Sequence, residues 1–161
     1  MRFLPILAPL FAAACGQQQG QPPNGSQAGP APTRGPVQTA TLTGLYEGAG
    51  SPPGQLCIVE EGRAAHFGLV IRRGQAPGCS GAGSATRNGT ALRLVMNGDS
   101  ACTIEARLDR ARVTFPSSLP TGCAYYCAPG ASAAGAAFTK TGGTIDDARR
   151  ARDLVGDQLC G

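Results

Sequence analysis

Cysteine carries most of the reactive chemistry in this chain. Seven cysteines stand in 161 residues, beside a single histidine, His66. Two of them, Cys123 and Cys127, bracket a pair of tyrosines in "GCAYYCAPG" (122–130). Such a pair could ligate a metal, carry redox chemistry or staple a fold. Zinc sites and dithiol redox sites favour C-x-x-C pairs, with histidines at short spacing in many zinc sites. No C-x-x-C occurs here, and the lone histidine is remote in sequence. The residues therefore predict no metal site. In an extended strand Cys123 and Cys127 would stand about 13 Å apart, beyond the roughly 4.4–6.8 Å of bridged Cα atoms. Each then needs its own partner. Tyr125 and Tyr126 would point to opposite faces of that strand, one into the core and one to the surface, where an amphipathic edge residue is the expectation and a binding surface the alternative.

Other candidate groups do not converge. No serine sits in G-x-S-x-G, and His66 falls on a predicted strand with Gly68 and Val70 on its face. Glu60 and Glu61 are adjacent, so a strand sends them to opposite faces beside a turn at Gly62. Asp146 and Asp147 fit a helix start. "SGAGS" lacks the lysine and strand–loop–helix context of a phosphate loop, and "NGDSA" lacks the later ligands of a calcium loop. Arg72 and Arg73 read as a solvated strand end. No catalytic residue, cofactor or metal is expected, and the chain reads as non-enzymatic. Beyond residue 37, twelve basic and ten acidic side chains remain. A balance of +2 gives no reason to expect nucleic-acid binding.

The N-terminus speaks to compartment. "MRFLPILAPLFAAACG" has Arg2, an apolar run from Phe3 to Phe11, and small residues leading into Cys15. That is the architecture of a secretory signal, too short for a permanent membrane helix. Small residues ending in cysteine resemble the lipobox of bacterial lipoproteins, although Ala12 stands where Leu is commoner. The resemblance implies a signal peptide over 1–14, cleavage before Cys15 and acylation of Cys15. Gly16 after it implies sorting to the outer membrane. Acyl chains at that cysteine would suffice for stable anchoring. Residues 16–37 follow, and 15 of these 22 are Gly, Pro or Gln. Such a segment buries too little apolar surface to order itself, so 15–37 reads as a lipidated tether reaching roughly 25 Å. Residues 38–161 form one domain.

With Cys15 assigned to lipid, six cysteines remain: Cys57, Cys79, Cys102, Cys123, Cys127 and Cys160. An even number in an oxidising compartment reads as three disulfides.

The elements that must position them are mostly strands. "ACTIEARLD" (101–109) alternates, with Cys102, Ile104, Ala106 and Leu108 on one face. "TALRLVM" (90–96) and "AHFGLVIR" (65–72) alternate likewise. "TATLTGLYE" (39–47), "QLCIVEE" (55–61), "RVTF" (112–115) and the small, polar "SGAGSATR" (80–87) complete the set. Turns are expected at Asn88-Gly89, Asn97-Gly98 and Asp109-Arg110. Strands at this spacing predict a mainly β domain, an antiparallel meander of 7–9 strands closed as a small barrel or packed as a sandwich. The end of the chain predicts one helix over 144–156, capped by Thr144 with Asp147 in a capping box. Its apolar stripe would be Ile145, Ala148, Ala151 and Val155. In an ordered meander, strands starting near 55, 80, 102 and 123 share one end. Four cysteines at that rim allow three pairings, and we take Cys57–Cys79 and Cys102–Cys123. Cys127 would lie near the opposite rim, bonded to Cys160.

A small tethered β-domain with "CSGAGSATRNG" (79–89) is similar in plan to the membrane-bound inhibitors of c-type lysozyme. That resemblance implies a small antiparallel barrel with a disulfide and a Ser-Gly-containing loop that enters the lysozyme cleft. The aromatic residue that usually closes the motif is missing here, and the extra cysteines and helix are departures. The expectation is a cell-envelope lipoprotein, a binding or structural module facing the periplasm or the cell surface. It would hold the membrane through lipid and act on a protein partner. An inhibitor of lysozyme and a lipocalin-like carrier of a small apolar ligand are the alternatives.

Overall fold

The computed structural model describes residues 40–50, 53–74 and 76–161. The signal segment, Cys15 and the tether lie outside the described residues. Eight antiparallel strands form a closed barrel in simple chain order. They are β1 (Gly44–Gly48), β2 (Gln55–Glu61), β3 (Ala64–Arg73), β4 (Ala76–Asn88), β5 (Ala91–Met96), β6 (Asp99–Asp109), β7 (Arg112–Thr114) and β8 (Ala137–Gly142). β8 pairs back onto β1, so no strand edge is left open. The expected meander is present, and of its two forms it is the barrel.

Alternation decides what is inside. Leu56 and Ile58 of β2, Phe67 and Leu69 of β3, Leu92 and Leu94 of β5, and Ile104 of β6 are fully buried in one interior cluster. Phe115 and Phe138 meet in it with ring centroids 5.5 Å apart. Intervening residues face out. The hairpin turns expected at Asn88-Gly89, Asn97-Gly98 and Asp109-Arg110 are each two residues long, but two of them sit one residue later than expected. Asn88 pairs with Ala91, so the hairpin loop is Gly89–Thr90, with Gly89 at φ 61°. Asn97–Gly98 is the next turn, as expected. Asp109 pairs with Arg112, so that loop is Arg110–Ala111, with Arg110 at φ 52°.

Three expectations are corrected. The first is the extended strand over 123–127. Thr121–Tyr126 is instead a 3-10 helix lying between β7 and β8, and the eighth strand is Ala137–Gly142. The second is the helix over 144–156, of which only α1 (Ile145–Ala148) forms. The Thr144 capping box is present, with Thr144 Oγ1 accepting from the Asp147 N–H and Asp147 Oδ2 accepting from the Thr144 N–H. The predicted stripe, however, buries only Ala148 and Ala151, while Val155 stays 82% exposed. Two alanines bury too little to carry a helix of that length. Beyond Ala148 the chain runs irregularly over the outer wall.

The third is the disulfide pairing. Cys102–Cys123 is present, but Cys57 bonds Cys160 and Cys79 bonds Cys127. Strand parity is the reason. Cys57 lies between Leu56 and Ile58, which face inward, so it faces out. Cys79 packs in the interior cluster. The two cannot meet through the wall. Outside, Cys57 joins Leu45, Ala148, Ala151 and Cys160 in a second apolar cluster under the C-terminal segment. Gly68 gives that segment its seat, because a Cβ there would come within 2.8 Å of Leu159 and 3.0 Å of Cys57 Sγ.

Candidate functional site

The barrel has two ends, closed by different means. One carries the β1–β2, β3–β4, β5–β6 and β7–β8 connections. The last of these, residues 115–136, folds across the opening as a cap. Its 3-10 helix places Cys123 against Cys102 of β6, and the residue that follows it places Cys127 against Cys79 of β4. Cys79 and Cys127 also form a β-bridge, and the Ala128 N–H donates to Gly78 O at 2.9 Å. Tyr126 packs on the core and its hydroxyl lies 3.4 Å from Asn97 O. Gly81 accommodates it, since a Cβ there would stand 2.9 Å from the ring and 3.1 Å from Met96. Tyr125 is 90% exposed. The two tyrosines thus divide between core and surface as expected, through a 3-10 turn rather than an extended strand.

The opposite end is closed by residues 40–43, a strap ahead of β1. Leu42 inserts into the interior cluster. Glu60 holds the strap: its carboxylate accepts from Thr41 Oγ1, from the Leu42 N–H at 2.9 Å and from the Thr43 N–H at 3.3 Å. Carbonyls of the strap are held by other side chains. Tyr46 Oη donates to Leu42 O at 2.7 Å, Lys140 Nζ to Thr41 O at 2.8 Å, and Arg87 Nη1 to Ala40 O at 2.7 Å. Lys140 Nζ also stands 5.5 Å from the centre of the Tyr46 ring. Burial and then the Glu60 charge push the Tyr46 phenol up to about 12, against a smaller lowering effect of Arg87. Burial alone would raise the Glu60 carboxyl, but the hydrogen bonds from Thr41, Thr43 and Leu42 outweigh it and hold the group below its ordinary value. Reading Glu60 and Glu61 only as flanks of a turn missed this role. The signal available was a carboxylate set to the inner face beside a threonine-rich entry segment.

The remaining candidates stay apart. His66 is exposed on the outer wall, across from Val59 and Ser84, and its imidazole makes no hydrogen bond among the described residues. Glu61, His66, Asn97, Arg149 and Leu159 line a shallow outer groove of about 360 Å³. Asp146 pairs with Arg149 at 3.7 Å and Asp147 with Arg150 at 2.7 Å, at the start of α1. Among the described residues no three His, Cys, Asp or Glu side chains gather as metal ligands would. Ser80 and Gly81 lie inside β4 rather than on a loop.

Comparison with known proteins finds no matching family model, no matching curated protein and no matching solved structure.

Proposed function

We propose that this chain is a non-enzymatic cell-envelope lipoprotein, a binding module tethered to the outer membrane through Cys15 and facing the periplasm or the cell surface. The filled barrel carries this reading. Its interior is occupied by large apolar side chains, and no buried side-chain polar atom among the described residues lacks a partner. Recognition then falls to the outer wall and the ends. Three disulfides suit an oxidising compartment. The same filled interior weighs against a lipocalin-like carrier, which needs an empty one. The small disulfide-bonded barrel favours the lysozyme-inhibitor alternative, and the position of Ser80–Gly81 within β4 weighs against its Ser-Gly loop.

Metabolic labelling with a palmitate analogue tests the anchor. The full chain is expected to take label and fractionate with outer membranes. Cys15→Ala is expected to take none and to leave the membrane fraction. An unlabelled wild-type chain would overturn the reading. Adding purified domain to a c-type lysozyme lysis assay separates the inhibitor alternative, since undiminished lysis removes it.

A further inference from the structure

Large apolar side chains of the described residues are exposed at four positions: Tyr125 (90%), Val155 (82%), Ile145 (42%) and Leu154 (39%). Leu154 and Val155 sit together at the tip of a short arch, and that arch is firmly built. The Asp153 N–H donates to Asp157 O at 2.8 Å, closing its base. Asp153 Oδ1 accepts from the N–H groups of Val155 and Asp157, at 2.9 and 2.8 Å. Arg152 and Gln158 form a β-bridge behind it, and the Leu159 N–H donates to Ala151 O at 3.1 Å.

The arch is also fastened to the barrel. Arg72 Nη2 donates to the carbonyls of Arg152 and Asp153, at 3.1 and 2.7 Å. Gln55 Oε1 accepts from the Arg152 N–H at 3.1 Å. Cys160, just past the arch, is bonded to Cys57. Gln55 opens β2 and Arg72 is next to last in β3, so the arch stands at the capped end, the end that also carries Tyr125.

Val155, held in water by a disulfide, an arginine and a pinned turn, and the partly exposed Leu154 beside it belong to neither apolar cluster of the barrel. They are preorganised for contact, which lowers the entropy lost on binding. We propose that the arch 153–157 is the principal protein-contact element of this chain. Its Leu154–Val155 tip would enter a concave apolar cleft on a partner protein whose rim carries a basic side chain. The convex tip selects a concave site. Asp157 supplies the charge, because its carboxylate has no partner among the described residues. The guanidinium of Arg152 is turned back onto Arg149 O and Ala151 O, at 2.6 and 3.0 Å, and is directed away from the tip. Flanking aspartates and so small an apolar tip favour a protein over an anionic lipid surface.

The inference rests on the binding-module reading, and crosslinking separates the two. A photo-reactive benzoylphenylalanine replaces Val155, Tyr125 or outer-wall Thr103 in the full chain, in the cells that make it. A discrete adduct with another protein is expected from Val155, and Leu154→Asp in the same chain should lower its yield at least about tenfold. That adduct protein, purified, should bind the full chain at least about tenfold more weakly when Val155→Asp is introduced, and about threefold more weakly with Asp157→Asn. Unchanged melting temperatures would show that these exposed substitutions leave the fold intact. An adduct from Thr103 or Tyr125 but none from Val155 overturns the arch and spares the binding module. No adduct at any position counts against both. An adduct with lipid, with a second copy of the chain, or one indifferent to Leu154→Asp also overturns the proposal, as does pelleting of the purified domain with phosphatidylglycerol vesicles that Val155→Asp abolishes.

Discussion

The two ends of the barrel do the same task with opposite chemistry. At one, a cap of 22 residues is bonded to the wall by Cys79–Cys127 and Cys102–Cys123. At the other, four residues are held by one leucine and a ring of charged and hydroxyl groups around Glu60, Arg87, Lys140 and Tyr46. A barrel interior must be sealed at both ends, because water entering it would reach the leucines and phenylalanines within. The cap seats Phe115, Leu119, Tyr126 and Ala133 on the core, but it is a long run with little regular structure, rich in Ala, Gly, Ser and Pro, so covalent bonds limit the entropy lost in ordering it. The strap has Leu42 and dense hydrogen bonding, and needs no cysteine. The capped end should therefore respond to reductant and ignore pH. The strapped end should do the reverse.

Breaking the cap gives the largest effect. In the chain-entropy account, the separations of 48 and 21 residues correspond to about 4 kcal/mol for Cys79–Cys127 and about 3 kcal/mol for Cys102–Cys123. Replacing either pair by alanines is expected to lower the denaturant midpoint accordingly, Cys79/Cys127 more than Cys102/Cys123. Hydrogen exchange should rise first in the cap and last at the strap. Equal loss of protection at both ends would show that the barrel opens as one unit and that the distinction between its ends is only geometric.

The strands that alternate were legible from their residues. Cys102, Ile104, Ala106 and Leu108 declared an inward face, and the structure places all four inside. The glycine-rich strand was legible only through its turn, because Gly81 and Gly83 are there to admit Tyr126, Phe67 and Val95 rather than to pack themselves. The cysteine count was legible too, but the pairing was not. It depends on whether each cysteine faces in or out, and Cys57 is placed by Leu56 and Ile58 on either side. Applying the alternation test to "QLCIVEE" would have separated Cys57 from Cys79. Strand β8 carries only a faint signal, because "AAFTKTGG" follows a long irregular run and Phe138 alone has a core-sized side chain there. The strap's clamp was not visible, since it joins Thr41–Thr43 to Glu60 across 17 to 19 residues with no sequence period to mark it. The arch was hidden inside a false helix, where Val155 completed a stripe that only two alanines in fact bury.

The strap can be loosened in two ways, which sharpens the contrast within that end. Leu42→Ala removes its plug from the interior and is expected to cost about 2–3 kcal/mol, read by thermal unfolding. Glu60→Gln keeps the shape but gives up the charge that three residues address, and is expected to cost about 1 kcal/mol, discounted for the water that reaches this carboxylate. Both should raise exchange at the strap while leaving the cap amides of Cys123 and Cys127 protected. If Glu60→Gln costs more than Leu42→Ala, the seal is electrostatic rather than apolar.

Titration gives the smallest effects. Disulfides do not titrate, so the cap's covalent closure is indifferent to pH. Tyr46 sets the alkaline limit of the strap. Its phenol is raised from 10.0 to about 12, so the unfolded chain ionises first as pH rises. The stability tied to its neutral form is complete below about 10 and is lost as pH climbs towards about 12, and Tyr46→Phe should remove that loss. Glu60 sets the acid limit, with the opposite sign. Its pKa in the fold lies below the ordinary 4.5, so its contribution is complete above that value and disappears as pH falls through the lowered one. Amide exchange at Leu42 and Thr43 should accelerate in that acid window while Cys123 and Cys127 keep their protection relative to the rest of the barrel. Glu60→Gln should abolish the acid step and leave the alkaline one. An acid step that survives Glu60→Gln would mean that the strap is released by another carboxylate, and the polar seal would have to be assigned elsewhere.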